Sequence, residues 1–179
     1  MDKEDYATAL REFKPLALKG DADAQNNLGV MYELGQGVPK DFREAMKWYR
    51  LAAAQGYAGA QNNLGVMYDK GRGVAQHYRE AVKWYRLAAE QGNASAQHNL
   101  GVMYDNGRGV AQDYREAAKW YHLAADQGDP DAQNNLGDMY KDGQGVPPNA
   151  IVAYALFSLA AAGDPANGNK ATESRTKLA

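Results

Sequence analysis

The sequence predicts an all-α fold, an α/α superhelix or solenoid of stacked antiparallel helix pairs, and three observations carry that expectation. Landmarks return every 36 positions: Leu28-Gly29, Leu64-Gly65, Leu100-Gly101 and Leu136-Gly137; Tyr32, Tyr68, Tyr104 and Tyr140; Trp48, Trp84 and Trp120. The 179 residues include 32 Ala against a single Ile (Ile151), which suits closely packed helices better than a sheet of β-branched side chains. Glycines and capping residues divide each period into two helices. Gln61 to Gln76 differs from Gln97 to Gln112 only at Asn62/His98 and Lys70/Asn106, so the repetition is internal and near-exact. A period between 20 and 50 residues signals units that bury their apolar faces by stacking on one another.

Residues 1–20 read as an N-terminal capping helix. Asp5 to Gly20 aligns with Asp41 to Gly56, but Glu12 replaces the Trp, Lys14 and Lys19 add charge, and Pro15 is expected to interrupt the helix. Residues 21–163 hold four repeats. In three of them Asp21, Asn93 or Asp129 is placed to cap a first helix that runs to about Leu34 or its equivalents, with Pro130 at the favoured first position. Ala24, Leu28, Met31 and Tyr32 form its buried stripe. Gly35, Gly71, Gly107 and Gly143 stand where a left-handed residue ends a helix, and a second glycine two places on precedes a Val that plugs the turn.

Asp41 with Glu44, and Asp113 with Glu116, have capping-box spacing for the second helix, which ends at Gln55-Gly56, Gln91-Gly92 and Gln127-Gly128. Its core face carries Phe42, Ala45, Met46, Tyr49, Ala52 and Ala53, and Trp48 and Leu51 flank it where a stacked neighbour is expected to cover them. In the last repeat Leu156, Phe157 and Ser158 replace Trp, Tyr and Arg, giving a more apolar helix that needs a cover. Residues 164–179 are expected to form an incomplete C-terminal cap.

Composition excludes several classes of function. Without cysteine there is no disulfide, thiolate metal site or thiol nucleophile, and three His leave few metal ligands, so no metal or cofactor is expected. A formal charge of −2 does not suit a nucleic-acid binder. No apolar run reaches the 18 residues or so of a membrane span, and the acidic N-terminus is not a secretory signal as written, so the compartment stays open.

The unit Ala24-Gln25-Asn26-Asn27-Leu28-Gly29-Val30-Met31-Tyr32, then Gly35-Gln36-Gly37-Val38, then Asp41 through Gly56, resembles the Sel1-like repeat, a relative of the tetratricopeptide repeat with a longer loop between its helices. The resemblance covers roughly residues 5 to 163. It implies a right-handed superhelix that acts as a scaffold for protein–protein interaction. One branch of that family, the cysteine-rich proteins of Helicobacter, is associated with β-lactam binding or hydrolysis; this chain lacks the paired cysteines that define it.

The resemblance further implies that first helices line a concave groove, with Asn26, Asn62, His98 and Asn134 pointing into it. Val30, Val66, Val102 and Asp138 follow one turn on, then Glu33, Asp69, Asp105 and Lys141. Carboxamides both donate and accept, so a ladder of them can pair with an extended peptide backbone, and the acids would favour a basic segment. The opposite face carries a basic stripe, Arg43, Lys47, Arg50, Arg79, Lys83, Arg86, Arg115 and Lys119, which is either solvated beside Glu44, Glu80 and Glu116 or a second surface for an anionic partner. No nucleophile motif, zinc motif or phosphate loop appears. The chain therefore reads as a monomeric, non-enzymatic adaptor for a peptide segment or protein partner, with a β-lactam hydrolase or a purely structural spacer as alternatives.

Overall fold

The computed structural model describes residues 3–163; the cap expected over 164–179 lies outside them. Among the described residues there are helices and no strands: α1 (Lys3–Leu18), α2 (Ala22–Leu34), α3 (Phe42–Ala54), α4 (Ala58–Lys70), α5 (Tyr78–Glu90), α6 (Ala94–Asn106), α7 (Tyr114–Ala125), α8 (Pro130–Asp142) and α9 (Ala150–Gly163). Contacts divide the chain into two compact units, Met1–Gln91 and Gly92–Ala179. The first holds α1 and the pairs α2/α3 and α4/α5; the second holds the pairs α6/α7 and α8/α9.

Helix ends follow the expected chemistry. The carboxylates of Asp21 and Asp129 and the amide oxygen of Asn93 accept from the backbone N–H three residues on. Gly35, Gly71, Gly107 and Gly143 are left-handed, with φ between 64° and 74°. His77 replaces the aspartate at the start of α5 and accepts the Glu80 N–H through Nδ1, and Asn149 caps α9 in the same way. Pro15 does not interrupt α1, which runs on to Leu18. It lies in the last turn, where the Lys19 N–H bonds back to the carbonyls of Pro15 and Leu16.

The capping box is only half formed. Asp41 accepts from the N–H groups of Arg43 and Glu44, but its own N–H goes to the Tyr32 carbonyl 2.9 Å away, so Glu44 has no backbone donor to reach and pairs with Lys47 instead. The N–H groups of His77, Asp113 and Asn149 make the same bond to Tyr68, Tyr104 and Tyr140. Each loop between a first and a second helix is thereby closed by backbone at its base. The second loop glycine seats that loop on the preceding second-type helix: a Cβ on Gly73 would lie 2.7 Å from the Phe42 carbonyl oxygen, and one on Gly145 would lie 2.2 Å from that of Tyr114.

Within each pair the helices meet at a glycine and an aromatic ring. A Cβ on Gly29 or Gly65 would fall 2.5 or 2.4 Å from the ring of Tyr49 or Tyr85, and Gly101 with Tyr121 and Gly137 with Phe157 repeat the contact. Those aromatics are buried, as are Ala45, Ala52, Leu28, Leu64 and their equivalents. Burying each large apolar side chain contributes about 1.5–3 kcal/mol. Trp48 and Trp84 pack back against the cluster of the preceding helices, as expected. Leu51 does not: it, Leu87 and Leu123 stay between 42% and 50% exposed, because the helices that follow cover the alanine face rather than this flank.

Glutamines link successive helices through the core. Gln55 donates to the Gln25 amide oxygen at 2.8 Å, while Gln25 donates to the Ala17 carbonyl. Gln91 with Gln61, and Gln127 with Gln97, repeat the first bond at 2.7 Å. In the last repeat the donor position falls on Gly163, and the buried Gln133 Oε1 has no partner among the described residues.

Two stability measurements test this account. Gly65→Ala forces a methyl group into the Tyr85 ring and is expected to cost about 2 kcal/mol, lowering Tm by roughly 4–8 °C in a circular dichroism melt. Gly163→Gln supplies the missing donor and is expected to raise Tm by roughly 2–4 °C. A Gly163→Ala control isolates the bond from the gain in helix propensity.

Candidate functional site

The groove positions lie on the second and later turns of the first helices, one set per repeat. In the first unit Asn26, Asn62, Val30, Val66 and Glu33 are half-buried and Asp69 is buried. In the second unit His98, Asn134, Val102, Asp138, Asp105 and Lys141 are all half-buried. Side chains here are held by the stack, and more residues take part than the sequence suggested.

Neighbouring first helices are tied through an unexpected partner. The Asn63 amide donates to Asn26 Oδ1 at 3.0 Å, and Asn135 meets His98 Nε2 at 3.1 Å. Among the described residues the Asn26 amide nitrogen and the Asn134 side chain make no hydrogen bond. The signal for this was present in the doublets Asn62-Asn63 and Asn134-Asn135, whose second member reaches back to the preceding repeat; in Asn26-Asn27 the second member instead donates to Asp23 one turn back in its own helix. His98 also stacks at a tilt on Tyr121, with ring centres 5.8 Å apart.

The acids are tied into the stack as well. Tyr49 donates its hydroxyl to Glu33 Oε2 at 2.7 Å, and Arg72 of the next repeat pairs with Oε1 at 2.9 Å. Both oxygens of Glu33 are engaged, so its charge is matched internally and gives no preference for a basic ligand. Asp69 is paired with Lys70 at 2.8 Å, and Lys141 with Asp138. Tyr121 reaches Asp105 at 3.5 Å, and Asn135 bonds the same hydroxyl. Burial, reinforced by the facing acid, holds Tyr49, Tyr85 and Tyr121 protonated far above the usual phenol range. Desolvation raises the Asp105 carboxyl, opposed by its bond from Tyr121.

On the outer face Arg43, Lys47, Arg50, Arg79, Lys83, Arg86, Arg115 and Lys119 are all exposed. Each Lys is paired with the Glu three residues before it, Lys47 with Glu44, Lys83 with Glu80 and Lys119 with Glu116. Arg50 donates to the Tyr68 hydroxyl at 3.2 Å. Exposed pairs of this kind contribute little to stability. Among the described residues no group of three or more His, Asp or Glu is placed to hold a metal ion, and no helix is long and apolar enough to cross a membrane.

No curated protein matches the chain. Among solved structures, a protective antigen of uropathogenic Escherichia coli displaying an SLR fold is 43% identical with a TM-score of 0.83, over 88% of this chain and 34% of its own. A Sel1 repeat protein from Oxalobacter formigenes is 39% identical with a TM-score of 0.80, over 88% of this chain and 65% of its own. The chain thus spans about a third of the first and just under two thirds of the second. Cysteine-rich protein B of Helicobacter pylori is 26% identical with a TM-score of 0.54, over 69% of this chain and 89% of its own. These bacterial neighbours share the all-α repeat class. The family model described as Sel1 repeat matches residues 22–57, 58–93, 94–129 and 130–165, four consecutive units in the register of the helix pairs, and the chain belongs to the Sel1 repeat family.

Proposed function

We propose that this chain is a non-catalytic interaction module that holds an extended peptide or a protein partner along its first helices. Sel1-repeat proteins generally mediate protein–protein interaction, and the same role is inferred here. The observation that carries the reading is the pairing of half-buried side chains beside valines within each unit: Asn26 with Asn63 next to Val30 in the first, and His98 with Asn135 next to Val102 in the second. Amide groups oriented by their neighbours offer donors to a backbone without a large entropic cost of ordering. The valines offer shallow apolar contact for alternate side chains of an extended ligand.

Catalysis has no comparable support. Burial holds the Tyr49 and Tyr121 hydroxyls above the usual phenol range, and the cysteines of the β-lactam-associated branch are absent. No turnover of a chromogenic β-lactam is expected; hydrolysis above the buffer rate would reverse this reading.

The binding test uses peptides selected on the immobilised chain from a display library. Asn62→Ala with Asn134→Ala is expected to weaken the selected peptides at least tenfold by calorimetry while leaving helicity intact. Equal affinity rejects the first-helix row as the binding surface, and failure to select any peptide favours a structural spacer.

The acids are assigned to the stack rather than to the ligand. A carboxyl raised by burial costs stability when ionised, and that cost disappears as pH falls through its raised pKa. Asp105→Asn is therefore expected to raise Tm at pH 7, with the gain shrinking toward pH 4, and to leave peptide affinity within about twofold.

A further inference from the structure

One replacement in the second unit changes the chemistry of a tie that the first unit makes with amides alone. Two periods on, Asn26, Glu33, Tyr49 and Asn63 become His98, Asp105, Tyr121 and Asn135. In the first unit Asn63 donates to Asn26 Oδ1 at 3.0 Å, a bond between groups that do not titrate. In the second the Asn135 amide nitrogen lies 3.1 Å from His98 Nε2.

The neighbours of Asn135 fix which way its amide points. Tyr121 directs its own proton to Asp105 Oδ2 at 3.5 Å, so the oxygen of that hydroxyl can only accept from Asn135. The amide nitrogen has a hydrogen for Tyr121 and another for His98. His98 Nε2 is therefore the acceptor, and the ring holds its proton on Nδ1. Such an arrangement requires a neutral imidazole, because a charged ring is a donor at both nitrogens and sets N–H against N–H. Rotating the Asn135 amide by half a turn satisfies the charged ring but brings Oδ1 to the Tyr121 hydroxyl, which then has to leave Asp105. The four groups cannot keep all of their bonds once His98 is charged.

We propose, on the reading that the first-helix row holds the ligand, that His98 is a proton-operated release in the second unit. Proton uptake by its ring opens the tie to Asn135 and loosens the grip on a ligand lying along this part of the row. Histidine is the side chain that ordinarily changes charge between pH 5 and 8. Asn26, at the equivalent position, gives the first unit no such response. Within the second unit the ionisable groups around the tie are Tyr121, Asp105, and Asp138 one turn along α8, which is paired with Lys141. Tyr121 is held protonated by burial, and its ring centre lies 5.8 Å from that of His98. A charged ring freed from Asn135 has Asp105 and Asp138 as opposite charges on its own row. The other histidines serve second-type helices: His77 caps α5, and His122 of α7 meets the Tyr140 hydroxyl at 3.1 Å.

The test is nuclear magnetic resonance on the isotopically labelled full chain and on His98→Asn, which restores the amide of the other repeats. At about pH 7.5 the His98 ring, assigned by its loss in the variant, is expected to be the neutral tautomer with its proton on Nδ1. As pH falls to about 5.5, the Asn135 side-chain amide signals are expected to move with the ring while those of Asn63 stay in place. Peptides selected on the immobilised chain are expected to lose affinity about threefold to tenfold over that interval, and His98→Asn is expected to abolish the loss. That variant keeps His77, His122, Asp105 and Asp138, so any response from those groups persists in it. A proton on Nε2 at neutral pH, or Asn135 signals that ignore the ring, overturns the proposal without touching the ligand row. Affinity that stays constant, or falls equally in His98→Asn, overturns the release even where the tie opens. Equal binding by the chain carrying Asn62→Ala and Asn134→Ala instead rejects the row on which the release depends.

Discussion

A bare Cα facing an aromatic ring sets the spacing within every helix pair. At Gly29, Gly65, Gly101 and Gly137 any side chain would occupy the volume of Tyr49, Tyr85, Tyr121 or Phe157. That close approach fixes the depth at which the second helix sits, and with it the reach of the tyrosine hydroxyl. Glu33 accepts a hydrogen bond from the Tyr49 hydroxyl at 2.7 Å, with that ring set against Gly29. The same ring closes the core between one pair and the next, where Ala45, Ala52 and Leu64 meet. One residue without a side chain thus governs packing, the state of a buried phenol and the position of an acid on the candidate binding face.

Polar groups then set register where apolar packing alone is permissive. Small alanine faces can slide against one another at little cost, but a buried glutamine that loses its donor is left with a desolvated carbonyl. The bonds Gln55 to Gln25, Gln91 to Gln61 and Gln127 to Gln97 penalise such slippage. Arg72 on Glu33 and Asn63 on Asn26 add further ties between neighbouring repeats in the first unit. Much of the polarity that looks available for a ligand is therefore committed to architecture, and the proposed contacts are left to the remaining amides and the valines beside them.

Most of the fold was legible because it rests on periodicity and on glycine. The helix pairs, the left-handed ends at Gly35 and Gly71, and the caps Asp21 and Asp129 follow from spacing and residue type. The candidate site was legible only as a set of positions. That Tyr49 turns toward Glu33, or that Arg72 closes on the same carboxylate, depends on which repeat is adjacent and how far a side chain reaches. Periodicity carries neither quantity. The half-formed box at Asp41 was misread for a related reason: the competing acceptor, Tyr32, lies across the loop and outside the local motif. Leu51 was expected to be covered because wheel geometry gives direction without saying how wide the neighbouring helix is.

The backbone bond from Asp41 to Tyr32, repeated at His77, Asp113 and Asn149, bears on how such a chain can change its length. Adding or deleting a single residue in the loop breaks that closure, unseats the second glycine from the preceding helix, and shifts the glutamine contact out of reach. Duplication or loss of a whole period preserves all three at once, since each partner is replaced by its equivalent. Growth by copying entire units is the route of least disruption, and point substitution is left to diversify the outward positions.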